Sequence, residues 1–252
     1  MTPSEQADEH EHRQIRALDA RVVKSVLFTS GECDPTAPFV RPAAWSEPGA
    51  PTRFLMGDDP RLAPMPVCPT LLDFFKHRFS AGTVHHLLQS ATHALYAGQD
   101  EKVVLACLLH DIAVAGFIRG DHGYWGAQML EPYVDAEVSW AIRHHQALRF
   151  YPDDAVGYAY PRNYVEWFGA NYRPEPHIER AYREARAHRW YMTARLITIH
   201  DIYAMDPHAR VHMDDFIDII GRNFRQPAEG LGFDDGPVAH MWRTMIWPTR
   251  FL

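Results

Sequence analysis

The stretch VVLACLLHDIA, residues 103–113, decides the fold. It is apolar on every side as far as Leu109, as a helix at the centre of a bundle would be, and Asp100 just before it is a candidate N-cap. His110 and Asp111 then follow side by side. Two titratable groups are costly to bury unless something binds them. The stretch therefore predicts a central helix that ends at a binding site.

The rest of the chain also has helical patterning. From residue 69 onward, amphipathic segments follow one another without strand alternation or an internal repeat. In the segment before the central helix, Thr83 is the predicted N-cap and Gly98 the predicted stop. We predict an all-α fold, with a helical bundle over residues 69–252. Residues 1–68, which are rich in proline, are predicted to form an N-terminal arm and a loop-rich segment that packs on the main body.

Composition narrows the class of protein. The 252 residues carry a formal charge of −7 without a block of Lys and Arg, so neither a nucleic-acid groove nor an anionic membrane surface is expected as a partner. The apolar runs are too short for a membrane span, and the N-terminal residues resemble no signal peptide. The three cysteines are scattered, which favours a reducing, cytoplasmic setting. The aromatic C-terminal segment, residues 236–252, is expected to pack on the bundle or to form a homodimer contact.

Sixteen histidines are unusual for this length, and several lie with aspartates in helical segments that could face one centre. Four imidazoles and two carboxylates suit a pair of borderline metal ions such as Fe, Mn or Zn. The two oxygens of Asp111 could each take one ion, about 3.5–4 Å apart. The candidate metal ligands are His86, His110, Asp111, His122, His144 and Asp201.

In order and spacing, these residues resemble the HD-domain superfamily over about residues 80–205. HD proteins are α-helical and most are metal-dependent phosphohydrolases. A subset binds two metals through an H…HD…H…H…D set, and it includes the HD-GYP phosphodiesterases and the mixed-valent diiron oxygenases. HGYWGAQML (122–130) resembles an H-x3-Gly-Ala-x-x-Leu segment of the oxygenases, and HHQALRF (144–150) resembles their H-x-x-Ala-Lys-Arg-Tyr segment. The interval of 57 residues between His144 and Asp201 also resembles the oxygenase layout.

The resemblance implies how the two metals are shared. One would be held by His86, His110, Asp111 and Asp201, and the other by Asp111, His122 and His144. The match favours His144 over His145. Helical phase leaves the choice open, because His145 falls on the stripe of Val138 and Ile142 and His144 on the side of Trp140 and Ala141, and either side could face inward. The histidine that does not bind metal is a candidate to hydrogen-bond a bound ligand.

Three residues are candidates for catalysis: Asp111, His145 and Arg149. Arg149 lies near the end of its helix and could reach the mouth of the site, although a solvated arginine would look the same in sequence. The chain also departs from the phosphonate-cleaving relatives. They carry a Lys that grips the substrate anion where this chain has Leu148, and HDIAVAG (110–116) lacks their further histidine. Both departures argue against an aminophosphonate substrate.

The leading hypothesis is a dinuclear oxygenase that oxidises a small organic substrate with O2. Iron is its leading metal, with Mn, Zn and Mg as alternatives. The alternative is an HD-type metal-dependent phosphohydrolase, which would also need cationic side chains for a phosphate. The candidates for that role are Arg149, Arg143, Arg195 and Lys102. A third hypothesis is a degenerate HD domain that binds a ligand or senses a metal.

Overall fold

The computed structural model describes residues 63–79, 81–113, 121–169, 171–202, 204–206 and 208–247. Within these ranges it has ten α-helices, two 3₁₀ turns and one isolated β-bridge between Asp153 and Tyr158, with no strand. The all-α prediction is confirmed. None of the described helices is long and apolar enough to cross a membrane. The predicted N-terminal arm and most of the loop-rich segment, residues 1–62, lie outside the described residues.

The helices are numbered here in chain order. They are α1 (Leu71–His77), α2 (Ala81–Tyr96), α3 (Glu101–Leu109), α4 (His122–Leu130), α5 (Ala136–Leu148), α6 (Arg162–Phe168), α7 (Pro176–Arg186), α8 (Tyr191–Asp201), α9 (Ile217–Asn223) and α10 (Ala239–Ile246).

The described residues fall into two compact units. The first runs from Phe79 to Gln226 and contains α2 to α9. The second combines residues 63–78 with residues 227–247 and contains α1 and α10. The boundary expected between residues 68 and 69 stays a prediction.

The second unit contains two helices, α1 and α10, which pack against each other. Thr70 and Asp73 form a capping box at the start of α1, because the Asp73 backbone N–H donates to the Thr70 hydroxyl while the Asp73 carboxylate accepts from the Thr70 backbone. The fully buried Trp242 of α10 packs edge-on against Phe74, with ring centroids 4.8 Å apart. This contact forms the core of the unit.

In the first unit, α3 is the central helix. The Asp100 carboxylate accepts the Lys102 backbone N–H at 2.9 Å, so it is the predicted N-cap. Every residue from Val103 to Leu109 is buried, because α3 packs against α2, α5, α8 and α9. His110 is the C-cap, so the His-Asp pair lies where the central helix ends.

The limits of α2 agree with the sequence at one end only. Gly98 has a φ of +69°, a conformation that favours glycine, and it follows the end of the helix as predicted. The helix begins at Ala81, however, so the prediction of Thr83 as N-cap is wrong. Thr83 lies within the first turn and is buried.

Two helices approach each other closely at Gly123. A Cβ atom at this position of α4 would lie 2.8 Å from the carbonyl oxygen of Ile142 and 3.1 Å from that of Arg143, both in α5. Backbone atoms of a packed helix cannot move aside easily. The absence of a side chain at Gly123 therefore lets the first turn of α4, which begins at His122, lie directly on α5.

We predict that Gly123→Ala lowers the free energy of unfolding by about 1–3 kcal/mol, because the added methyl overpacks the α4–α5 contact. The matched control is Gly82→Ala in the first turn of α2, where an added Cβ meets nothing within 4 Å. That control should be neutral or stabilise by up to about 1 kcal/mol. Urea unfolding measures both. Equal effects of the two changes would contradict the close approach.

Candidate metal centre

Six side chains from five helical segments meet in the first unit. His110 and Asp111 come from the end of α3, and the other four come from α2, α4, α5 and α8. All are buried except Asp111, whose side chain is 15% exposed. The six residues are His86, His110, Asp111, His122, His145 and Asp201.

One half of the centre is formed by two histidines and two carboxylates. The Nε2 atoms of His86 and His110 are 3.3 Å apart, and they lie 3.1 Å and 3.5 Å from Oδ1 of Asp201. Both Nε2 atoms are also 3.5 Å from Oδ2 of Asp111. Four ligand atoms therefore surround one point.

The other half lies on the opposite oxygen of the same carboxylate. Oδ1 of Asp111 is 3.1 Å from Nε2 of His122 and 3.6 Å from Nε2 of His145. Those two nitrogens are 3.2 Å apart. Asp111 thus presents one oxygen to each half of the centre.

The imidazole rings are oriented by backbone carbonyls. Nδ1 of His86 lies 3.0 Å from the Ala204 oxygen. Nδ1 of His110 lies 2.7 Å from the Cys107 oxygen, and Nδ1 of His145 lies 2.6 Å from the Ile142 oxygen. A carbonyl only accepts, so each Nδ1 carries a proton and each ring turns its Nε2 atom into the centre. This orientation is typical of histidines that bind metals.

The centre has the signs of a cation site. Oδ1 of Asp111 and both carboxylate oxygens of Asp201 are buried without a hydrogen bond, which is costly unless a cation compensates. Two ligand atoms about 2.1 Å from a shared ion lie roughly 3.0–3.4 Å apart at the usual angles. The separations above, 3.1–3.6 Å, are close to that range. The residues therefore fit a bound metal.

The electrostatics of the two halves differ. Burial opposes a charge on His86, but the carboxylates of Asp111 and Asp201 together outweigh it and raise the pKa of His86 to about 10. Burial lowers the pKa of His145 to about 4, helped by His122 and His110. The pKa values of both aspartates lie well below their usual range despite burial. His110 and His122 favour the ionised form of Asp111, and Arg149 favours that of Asp201. Without a metal, a proton on His86 takes the place of a cation.

His144 lies outside the centre. Its half-buried ring packs on Trp140, with centroids 4.4 Å apart, and its side chain lines a separate cavity of about 280 Å³ between α4, α5 and α7. Burial lowers the pKa of His144 to about 4, with the charge of Arg143 adding to the effect. The histidine that the resemblance favoured as a ligand thus faces away, and its neighbour His145 occupies that position.

Of the four cationic candidates, one lies at the edge of the centre and three contact other partners. Nε of Arg149 lies 3.4 Å from Oδ2 of Asp201, at the edge of the centre. Arg195 is fully buried against backbone carbonyls, and Arg143 lies over the Tyr124 ring. Lys102 is 3.5 Å from the carboxylate of Asp135. Among the described residues, Arg149 is the one of these four candidates for which a contact with the centre is seen.

Comparison with known families agrees with this arrangement. Residues 83–185 match the HD domain. The match supports the HD-domain superfamily for this part of the chain, and with the His/Asp cluster it suggests divalent metal binding. Asp201 lies beyond the matched range, so its membership in the centre comes from the fold. No curated protein matches the chain.

We predict that His145→Ala weakens metal binding by about 10- to 100-fold or more, because it removes a buried ligand atom. The adjacent change His144→Ala is the matched control and should leave metal affinity unchanged, since that ring packs on Trp140. Titration of the metal-free protein with Mn²⁺ or Zn²⁺ measures both. If His144→Ala causes the larger loss, His145 is not the ligand.

Proposed function

We propose that the chain is a dinuclear metal oxygenase that oxidises a small organic anion with O2. Iron is the proposed metal, with Mn, Zn and Mg as the alternatives. The observation that carries the proposal is the shared carboxylate of Asp111, with two imidazoles facing each of its oxygens. A carboxylate in this position suits a bridge between two ions about 3.5–4 Å apart.

In this proposal the division of ligands follows the geometry. His86, His110, Asp111 and Asp201 would hold one ion, and Asp111, His122 and His145 the other. Bound iron would supply the one-electron chemistry that dioxygen requires. The protein supplies four neutral imidazoles against two carboxylates, so the centre keeps a high positive charge. A centre of this kind favours reduced or mixed-valent iron, which is why iron leads the alternatives.

With His145 as the proposed ligand in place of His144, the chain has a cationic residue where the oxygenases bind the substrate anion. In the oxygenase segment H-x-x-Ala-Lys-Arg-Tyr, the lysine that grips the anion stands four residues after the histidine. Counted from His145 instead of His144, that position is Arg149 and not Leu148, at the expense of the alanine match. Arg149 also lies beside Asp201, within reach of an anion at the centre. We therefore assign Arg149 to binding the carboxylate or phosphoryl group of the substrate.

Hydrolysis of a phosphoester is the second candidate function. The HD domain match favours it, because many proteins of that superfamily are phosphohydrolases, and Arg149 would suit a phosphoryl group as well. A nucleotide carries several phosphates, however, and would need more cations. Among the described residues, Lys102, Arg143 and Arg195 have partners away from the centre. This distribution favours a substrate with a single small anionic group.

The number of ions can be counted by mutation. We predict two metal ions per chain in the wild type, one in His122→Ala and none or almost none in Asp111→Ala, because only Asp111 faces both halves of the centre. Elemental analysis after loading and desalting measures the stoichiometry, with His144→Ala as the control that keeps two. Two ions in His122→Ala would contradict the assignment.

The reaction class is tested on protein purified with iron. We expect two irons per chain, a mixed-valent EPR signal after partial reduction, and O2 consumption with a small organic acid. A panel of small phosphoesters is assayed in parallel. One Mn or Mg per chain, with phosphatase turnover and no O2 consumption, would replace the oxygenase by the hydrolase.

A further inference from the structure

Arg195 is a fully buried arginine in α8 whose guanidinium binds backbone carbonyls. Its Nη1 donates to the carbonyl oxygen of Leu148 at 3.1 Å, and its Nη2 donates to that of Tyr151 at 3.1 Å. Leu148 is the last residue of α5. The final carbonyls of a helix have no partner within the helix, so Arg195 supplies one from another element.

The charge of Arg195 is neutralised at a distance. Its Nε donates to the Tyr191 hydroxyl at 3.0 Å, and that hydroxyl donates to Oδ2 of Asp153. The guanidinium also lies over the Tyr158 ring, 4.6 Å from its centroid. A buried cation in such a network keeps one geometry, because every alternative leaves a polar group unpaired.

The segment that Arg195 binds is the one that carries Arg149. Residues 148 and 151 bracket Arg149, and the Tyr158 hydroxyl donates to the carbonyl oxygen of Arg149 at 2.9 Å. Arg195 and Asp201 lie on the same helix, α8. Arg195 therefore ties the backbone of Arg149 to the helix whose Asp201 pairs with the Arg149 side chain at 3.4 Å.

We propose that Arg195 is a positioning residue, which holds the backbone on both sides of Arg149 and so aims the Arg149 guanidinium at an anion bound beside Asp201. The proposal rests on the anion-binding role of Arg149 in the proposed function. It also explains why a charged residue is kept in the interior, where an apolar side chain of similar volume would avoid the cost of desolvation.

The test is a double-mutant cycle on the metal-loaded protein, with inorganic phosphate as the anion and calorimetry as the measurement. Arg149→Met should weaken phosphate binding by about tenfold or more, as expected for the loss of a charge-assisted hydrogen bond. Arg195→Lys keeps the charge but not the fork, and it should weaken binding by about three- to tenfold. In the Arg149→Met background, the same Arg195→Lys change should have no further effect, since Arg195 acts through Arg149.

Two controls separate positioning from a loss of stability. Leu105→Ala removes a fully buried side chain of α3 and should lower stability while leaving phosphate affinity unchanged. If Arg195→Lys does not fold, Tyr191→Phe removes the acceptor of Nε instead, and its effect should likewise vanish without Arg149. Metal content is measured for every variant, so that a lost metal is not taken for a lost anion contact.

The outcomes are distinguishable. If Arg149→Met leaves phosphate affinity unchanged at full metal content, the anion-binding role of Arg149 is wrong and the positioning role falls with it. If Arg149→Met weakens binding but Arg195→Lys does not, or if their effects simply add, only the positioning role of Arg195 is overturned.

Discussion

The contact between the Asp111 carboxylate and four imidazole nitrogens is the interaction on which the first unit depends. A buried carboxylate without a compensating partner costs several kcal/mol, and Asp201 adds a second. The two carboxylates and the inward-facing Nε2 lone pairs therefore call for a cation. A proton on His86 meets that need when no metal is bound, as its raised pKa of about 10 indicates. Because the centre joins five helical segments, the free energy of binding a metal there would also stabilise the fold.

The helices meet this constraint by fixing each ring from behind. The apolar α3 is buried on all sides, which leaves its polar C-terminal end, His110 and Asp111, as the point where the other elements converge. Carbonyl oxygens then hold Nδ1 of three histidines, so that little rotational freedom is lost when an ion binds. Gly123 lets α4 approach α5 closely, and the Nε2 atoms of His122 and His145 are 3.2 Å apart.

Much of this arrangement could be predicted from the sequence, because helical periodicity and the order of His and Asp are local patterns. The identity of one histidine could not, because helical phase allowed either His144 or His145 to face inward, and the family segment favoured His144. In the structure His145 continues the buried stripe of Val138 and Ile142, whereas His144 packs on Trp140. Arg195 illustrates a different limit, since its partners are carbonyls more than forty residues away in sequence and no local pattern announces them.

In the proposed centre, Asp111 bridges two ions and His145 completes the site of the second. Anomalous diffraction from crystals of the metal-loaded protein, recorded at the metal absorption edge, tests this arrangement most directly. We expect two peaks about 3.5–4 Å apart on either side of the Asp111 carboxylate. One should lie against His86 and Asp201, and the other against His122 and His145. A single peak, or a second peak bound by His144, would contradict it.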